Sequence, residues 1–296
     1  MNVKSVVEPL SSAAQPGHPS SGVVRKRIVH RRAWGPWVFA ALVVVLLVAI
    51  VDAAISAHVV DARVFADYLF SRKMLEGAGN SLLLGTVALF AAGGVGLIAA
   101  LMRVSGNPVL ATLSSVYVYL FRGTPMLIQL IFWFNAFPLM FPQLHVVMPF
   151  TDHVLIDGPM TEVVTPWIAA LIGLSLAEGA YMAEIIRVGL RAVDTGQRDA
   201  ACALGMRRGQ ILYRVVIPQA ARIILPAAGN QYILLLKSTS LASAIGYLEL
   251  LRVTTDIYSA NFRVVELLCV AGFWYLVMTA FATALQMLLE RLYPHR

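Results

Sequence analysis

The chain has 296 residues, 59% hydrophobic and 13% charged, and a mean hydropathy of +0.75. That balance excludes an ordinary soluble domain, in which about 25% of residues are charged, and points to an integral membrane protein. The formal net charge of +7 does not indicate nucleic acid, because the basic residues gather in loops beside apolar runs and not along an aromatic-interleaved groove.

Residues 1–33 are rich in Ser, Pro, Gly and basic side chains (Lys4, Arg25, Lys26, Arg27, Arg31, Arg32) and lack apolar periodicity. They read as a disordered basic cytoplasmic tail. No charge interrupts Trp34 to Val51, so residues 34–57 read as an additional N-terminal transmembrane helix. A cleaved signal peptide is the rival, and the length of the run argues against it. Residues 58–76, with Asp61, Arg63, Asp67, Arg72, Lys73 and Glu76, form an external segment.

Gly77 to Met102 is a second span running inward, with Gly93, Gly94 and Gly96 available for close helix packing. Arg103 and the following SGNP turn mark its inner boundary. Pro108 to Phe121 is apolar but short and leads into Arg122-Gly123-Thr124-Pro125. Proline removes a backbone donor, so either a short interfacial helix precedes a third span from Thr124 to Phe141, or one long helix from 108 is kinked there. Arg122 reads as a snorkelling anchor.

Pro142 to Val164 contains neither Lys nor Arg, which fits an external loop. Its His145, Asp152, His153 and Asp157 lack the spacing of a metal site, so no metal is expected. Thr165 to Tyr181 is a fourth span, with Glu178 and Glu184 at its inner end, read as partners for arginines such as Arg187 ahead of the alternative, members of a polar pathway. The stretch that follows holds Arg187, Arg191, Arg198, Arg207, Arg208, Arg214 and Arg222, which places it in the cytoplasm. Its core, DAACALG, sets Ala200, Ala201 and Ala203 before Gly205, with Pro218 further on. This predicts a short small-residue helix, a turn, and a second helix stopped by proline. Small side chains let another backbone approach, so the segment reads as a docking loop, with an ordinary amphipathic cytoplasmic loop as the alternative.

Ile223 to Leu248 is a fifth span interrupted by polar residues. Exposing Lys237 to lipid would cost about 2.5–3.5 kcal/mol, so it must face protein or water. Asn230, Lys237, Ser238 and Thr239 are therefore candidate substrate-path residues, although a polar subunit interface would explain the same pattern. Residues 249–266 return outside, Leu267 to Leu289 is a sixth span, and residues 291–296 end the chain in the cytoplasm. The expected fold is an all-α integral membrane protein with six transmembrane helices.

No phosphate loop of the form G-x-x-x-x-G-K-[ST], no G-x-S-x-G elbow and no H-E-x-x-H pair occurs. The chain is not expected to be an enzyme or to carry a cofactor, and Cys202 and Cys269 make no metal or disulfide pattern. A secondary transporter would need a mid-membrane ion-coupling carboxylate and, usually, internal symmetry, neither of which is visible. What remains is a transport pore driven by a separate subunit.

The run DAACALG followed by VVIP resembles the E-A-A-x3-G-x9-I-x-L-P loop of ABC importer permeases. FRGTP at 121–125, GAYMAEIIRVGL at 179–190, PQAARIILPAAGNQ at 218–231 and LKSTSL at 236–241 are similar to the branch that takes up histidine, glutamate, glutamine, arginine or opines. The resemblance implies a type I permease-like five-helix core within residues 77–290. It also implies a cytoplasmic coupling loop at 190–222 in which Gln197, Arg198, Asp199, Ala200, Ala201, Gly205 and Pro218 meet the ATPase. Asp199 stands where the family carries glutamate. The implied partners are a cytoplasmic ABC ATPase dimer, a second permease copy or sister permease, an external solute-binding protein and membrane lipid. Another importer substrate, such as methionine or a quaternary amine, is the alternative.

Overall fold

The computed structural model describes residues 35–56, 61–147 and 154–292. The tail at 1–33 and, in the external loop, Asp152 and His153 lie outside them. The chain divides into two units, residues 1–57 and 58–296. In the first, α1 (Gly35–Ser56) is a single helix of 22 residues. At 1.5 Å per residue it is about 33 Å long, enough to cross the hydrocarbon layer.

In the second unit, α2 (Ala62–Leu69) is capped by Asp61, whose carboxylate accepts from the Arg63 N–H at 2.9 Å. The next helix, α3 (Arg72–Val104), starts ahead of the boundary at Gly77 read from charge, because Ser71 caps it. Hydropathy locates the apolar slab, whereas the cap decides where the helix begins. Then α4 (Pro108–Gly123) and α5 (Met126–Met140) meet at an elbow of 103° across Thr124-Pro125. Pro125 offers no N–H, and Gln129 fastens the corner: its Nε2 donates to the carbonyls of Phe121 (3.0 Å) and Thr124 (3.1 Å) and to Thr124 Oγ1 (2.8 Å). Of the two alternatives open in the sequence, the chain adopts two helices at a sharp bend.

Strands β1 (Gln143–Val147) and β2 (Val154–Pro159) form an antiparallel hairpin in which His145 pairs with Asp157. His145 Nδ1 lies 3.3 Å from Asp157 Oδ1. Among the described residues no group of three or more His, Cys, Asp or Glu could hold a metal ion. A single turn, α6 (Met160–Val163), leads into α7 (Pro166–Arg191), capped by Thr165. Beyond the docking segment, α9 (Arg208–Ile245) is one long helix, followed by α10 (Leu250–Asn261) and α11 (Val264–Leu292); α8 is described below. Helices α3, α7, α9 and α11 are each long and apolar enough to cross a membrane, and the bent pair α4/α5 makes a fifth when its two arms are counted as one span.

Pro218 does not stop its helix, contrary to the sequence-based expectation. A π turn at Leu212–Val216 directly precedes it. The i→i+5 bonding there has already shifted the ladder, so the N–H that proline lacks falls at an existing irregularity.

Three clusters hold the second unit together, the third around the segment described below. Leu84, Leu130, Leu174 and Leu235 join α3, α5, α7 and α9. Met74, Leu250, Leu267 and Val270 join α3, α10 and α11. Outside these, large apolar side chains such as Phe90, Leu276 and Phe281 are exposed, as suits faces that lipid covers.

At one end of the bundle a buried carboxylate ties three helices. Glu249, fully buried, caps α10 by accepting from the N–H groups of Leu251 (2.9 Å) and Arg252 (2.7 Å). It also accepts from Ser81 Oγ of α3 (3.3 Å) and Tyr275 OH of α11 (2.7 Å). Glu249→Ala would orphan these donors and is expected to cost about 3 kcal/mol, read as a lowered unfolding temperature in detergent. Burial holds the Glu249 carboxyl above the ordinary carboxylate range, against the pull of its donors. The folded pKa thus exceeds the unfolded one, so its contribution is full below the ordinary carboxylate pKa and declines as pH rises through the raised value. Glu249→Gln should flatten that decline in a pH series of melting curves.

Candidate docking loop and polar span face

The docking segment is built around α8 (Thr195–Ala203). Asp194 starts it by accepting the Gly196 N–H at 2.6 Å. Gly205, at φ +75°, ends it. The Gly205 N–H bonds to the Cys202 carbonyl (2.9 Å) and the Met206 N–H to the Ala201 carbonyl (3.2 Å), a Schellman closure that needs a left-handed residue at this position. Ala201 is 4% exposed and packs among Val193, Ile211, Val216 and Ala220. The Arg198 guanidinium turns inward and donates through Nη2 to the Leu190 carbonyl.

The sequence-predicted residues therefore divide. Arg198 and Ala201 anchor α8 to the bundle, whereas Gln197, Asp199, Ala200, Gly205 and Pro218 are exposed. Asp199 makes no ion pair among the described residues. Leu204, absent from the predicted set, is 83% exposed at the tip of α8. Its signal was its place directly before the turn glycine, where the chain reverses and pushes the capping side chain outward.

The second feature is a face of α9. Asn230, Leu234 and Lys237 are exposed, and their spacing of four and three residues puts them on one stripe. Ser238 lies beside it and donates to the Leu234 carbonyl at 3.1 Å. Thr239 does not join them: it is fully buried and donates to the Leu236 carbonyl at 2.8 Å. Lys237 has no ion-pair partner among the described residues.

The two glutamates of α7 also behave differently. Glu184 pairs with Arg187, whose Nε donates to Oε2 at 2.9 Å. Glu178 is 2% exposed, and its Oε1 has no hydrogen-bond partner among the described residues. The polar side chain facing its carboxyl is Gln231 of α9, next to Asn230. Of the two readings open in the sequence, arginine pairing holds for Glu184 and not for Glu178, because depth along a helix is legible in sequence while the facing helix is not.

A bundle of membrane spans with a bent pair, an exposed small-residue loop on the basic side and a polar stripe on one span defines a membrane transport subunit. The chain belongs to the family described as "Binding-protein-dependent transport system inner membrane component", which matches residues 92–293. Its setting is accordingly the bacterial inner membrane. It is 37% identical over 264 residues to the arginine transport system permease protein of Corynebacterium glutamicum, covering 87% of this chain and 79% of that one. Identity to the nopaline transport system permease protein of Agrobacterium fabrum is 37% over 226 residues (75% and 89% covered). For the glutamine transport system permease protein of Escherichia coli it is 32% over 220 residues (74% and 91%).

Among solved structures, an amino acid ABC transporter crystallised with histidines superimposes with a TM-score of 0.66 at 32% identity, covering 78% of this chain and 98% of that one. The MetNI methionine ABC transporter gives a TM-score of 0.60 at 18% identity, covering 75% and 97%, a likeness of fold.

Proposed function

We propose that the chain is the permease subunit of an ATP-driven importer for polar amino acids, opines included. What carries this reading is the level of identity, 32% to 37% across most of each chain, to permeases of arginine, nopaline and glutamine transport systems. The working unit is two permeases, identical or sister, with a cytoplasmic ATPase pair and an external solute-binding protein. The exposed surface of α8, with Gln197, Asp199, Ala200, Leu204 and Gly205, meets the ATPase. Arg198 and Ala201 transmit its displacement to α7 and α9, to which they are fastened.

The stripe of Asn230, Lys237 and Ser238 lines the substrate path. An ammonium on an apolar span is held by water or by the carboxylate of a passing solute, because lipid would not tolerate it. Glu178, buried with its Oε1 unpartnered among the described residues and with Gln231 of α9 near its carboxyl, adds a polar group beside this part of α9. Lys237→Ala is expected to reduce uptake of labelled polar amino acids about tenfold at unchanged membrane abundance, since a lost charged contact is worth about 1.5–3 kcal/mol. A panel of arginine, glutamine and histidine against methionine and betaine tests the substrate class. Unchanged uptake in the variant removes Lys237 from the path, and preference for methionine or betaine removes the polar amino acids.

A further inference from the structure

A cavity of about 460 Å³ opens between α3, α4 and α7, lined among others by Arg103, Arg122, Arg187, Glu184, Tyr119 and Tyr181. Its volume lies within the range of small-ligand sites. It sits at the inner boundary: Arg103 is in the last turn of α3, and Arg187 comes one turn before the end of α7. Glu184 is committed to Arg187. Arg122 lies over the Tyr181 ring, 4.9 Å from its centroid, a contact that holds the guanidinium in place while leaving its N–H edge available. Neither Arg103 nor Arg122 has an ion-pair partner among the described residues. Three guanidiniums against one carboxylate leave two positive charges facing one cavity.

The surroundings are apolar. On α4, Val118 and Tyr119 line the cavity and Tyr119 is 79% exposed; Leu113, Val116 and Leu120, also exposed, continue the apolar surface of the same helix around to its other face. A dissolved anion would use only the charges. An amphipathic anion would use both the charges and the exposed apolar surface of α4. We infer that this cavity binds the phosphate headgroup of an anionic phospholipid of the inner leaflet, with Arg103 and Arg122 on the phosphate and acyl chains along α4. Basic pockets between spans on the cytoplasmic side suit such headgroups, and the fork of an arginine matches two phosphate oxygens.

The test uses the full-length chain purified in mild detergent from its own membrane, with native mass spectrometry after addition of phosphatidylglycerol or phosphatidylcholine. Wild type should retain phosphatidylglycerol roughly thirtyfold better, each surplus charge adding what one basic residue adds near an anionic surface. Arg103→Gln/Arg122→Gln should fall to the phosphatidylcholine level, while Arg103→Lys/Arg122→Lys, which keeps the charge, should retain the preference in part. Equal retention by wild type and the glutamine variant overturns the site. Displacement of the lipid by equimolar inorganic phosphate overturns the lipid assignment in favour of a dissolved anion. Unchanged lipid retention together with loss of a co-purifying nucleotide-binding subunit overturns it in favour of a protein contact.

Discussion

Gly205→Val is expected to cut ATP-driven uptake at least about tenfold while the protein still inserts and accumulates in the membrane. The residue sits at φ +75°, and a Cβ placed there would meet nothing within 4 Å. The damage is therefore conformational and not steric. A side chain in the left-handed region costs about 1–2 kcal/mol, more when β-branched. That strain falls on the two bonds that close α8, from the Gly205 and Met206 N–H groups. At about 1.4 kcal/mol per tenfold, it is enough to depopulate the closed tip that presents Leu204 and Ala200. Gly205→Asn separates this from a bulk effect, because asparagine tolerates the left-handed region and should keep most of the uptake. Labelled-substrate uptake normalised to immunoblot abundance is the measurement. Wild-type uptake in the valine variant would mean that the tip is not the docking surface.

A large effect on stability is also expected at Gly96. A Cβ there would lie 2.6 Å from Met182 Cβ, 2.9 Å from the Ala183 nitrogen and 3.0 Å from the Gly179 carbonyl oxygen. Two of those atoms belong to backbone and cannot rotate aside, so Gly96→Val must push α3 and α7 apart. Overpacking of this kind costs about 1–3 kcal/mol, and loss of the close approach along the helix pair adds to it. A fall in unfolding temperature of about 5–10 °C in detergent is expected. Gly94→Val is the control, since nothing lies within 4 Å of that position, and it should melt like wild type. Equal melting of both variants would show that α3 and α7 are not held at this contact.

Gly93, Gly94 and Gly96 also mark the limit of what the sequence discloses. All three qualify by composition for close packing, yet only Gly96 is pressed against a neighbour. The difference is one of helix rotation, which a nearly all-apolar segment does not encode. The spans were legible, because the bilayer penalises charge within an apolar run. The short helix of the loop was legible for a local reason: alanines followed by a glycine specify both the helix and its closure.

Features that composition does not encode were legible only in part. A break at Thr124-Pro125 was expected from the proline, whereas its 103° angle and its fastening by Gln129 were not. The passage of α9 through Pro218 needed a π turn that leaves no compositional mark. In the polar span, Asn230, Lys237, Ser238 and Thr239 looked equivalent. Their angular positions around α9 set three at or beside an open face and bury Thr239.

The most direct test of ATP-driven import is uptake of labelled polar amino acid, supplied with the external binding protein, into vesicles that hold the complete transporter. ATP-driven import predicts accumulation that requires internal ATP and survives collapse of the proton and sodium gradients. Uptake that persists without ATP and disappears with the ion gradient would contradict it.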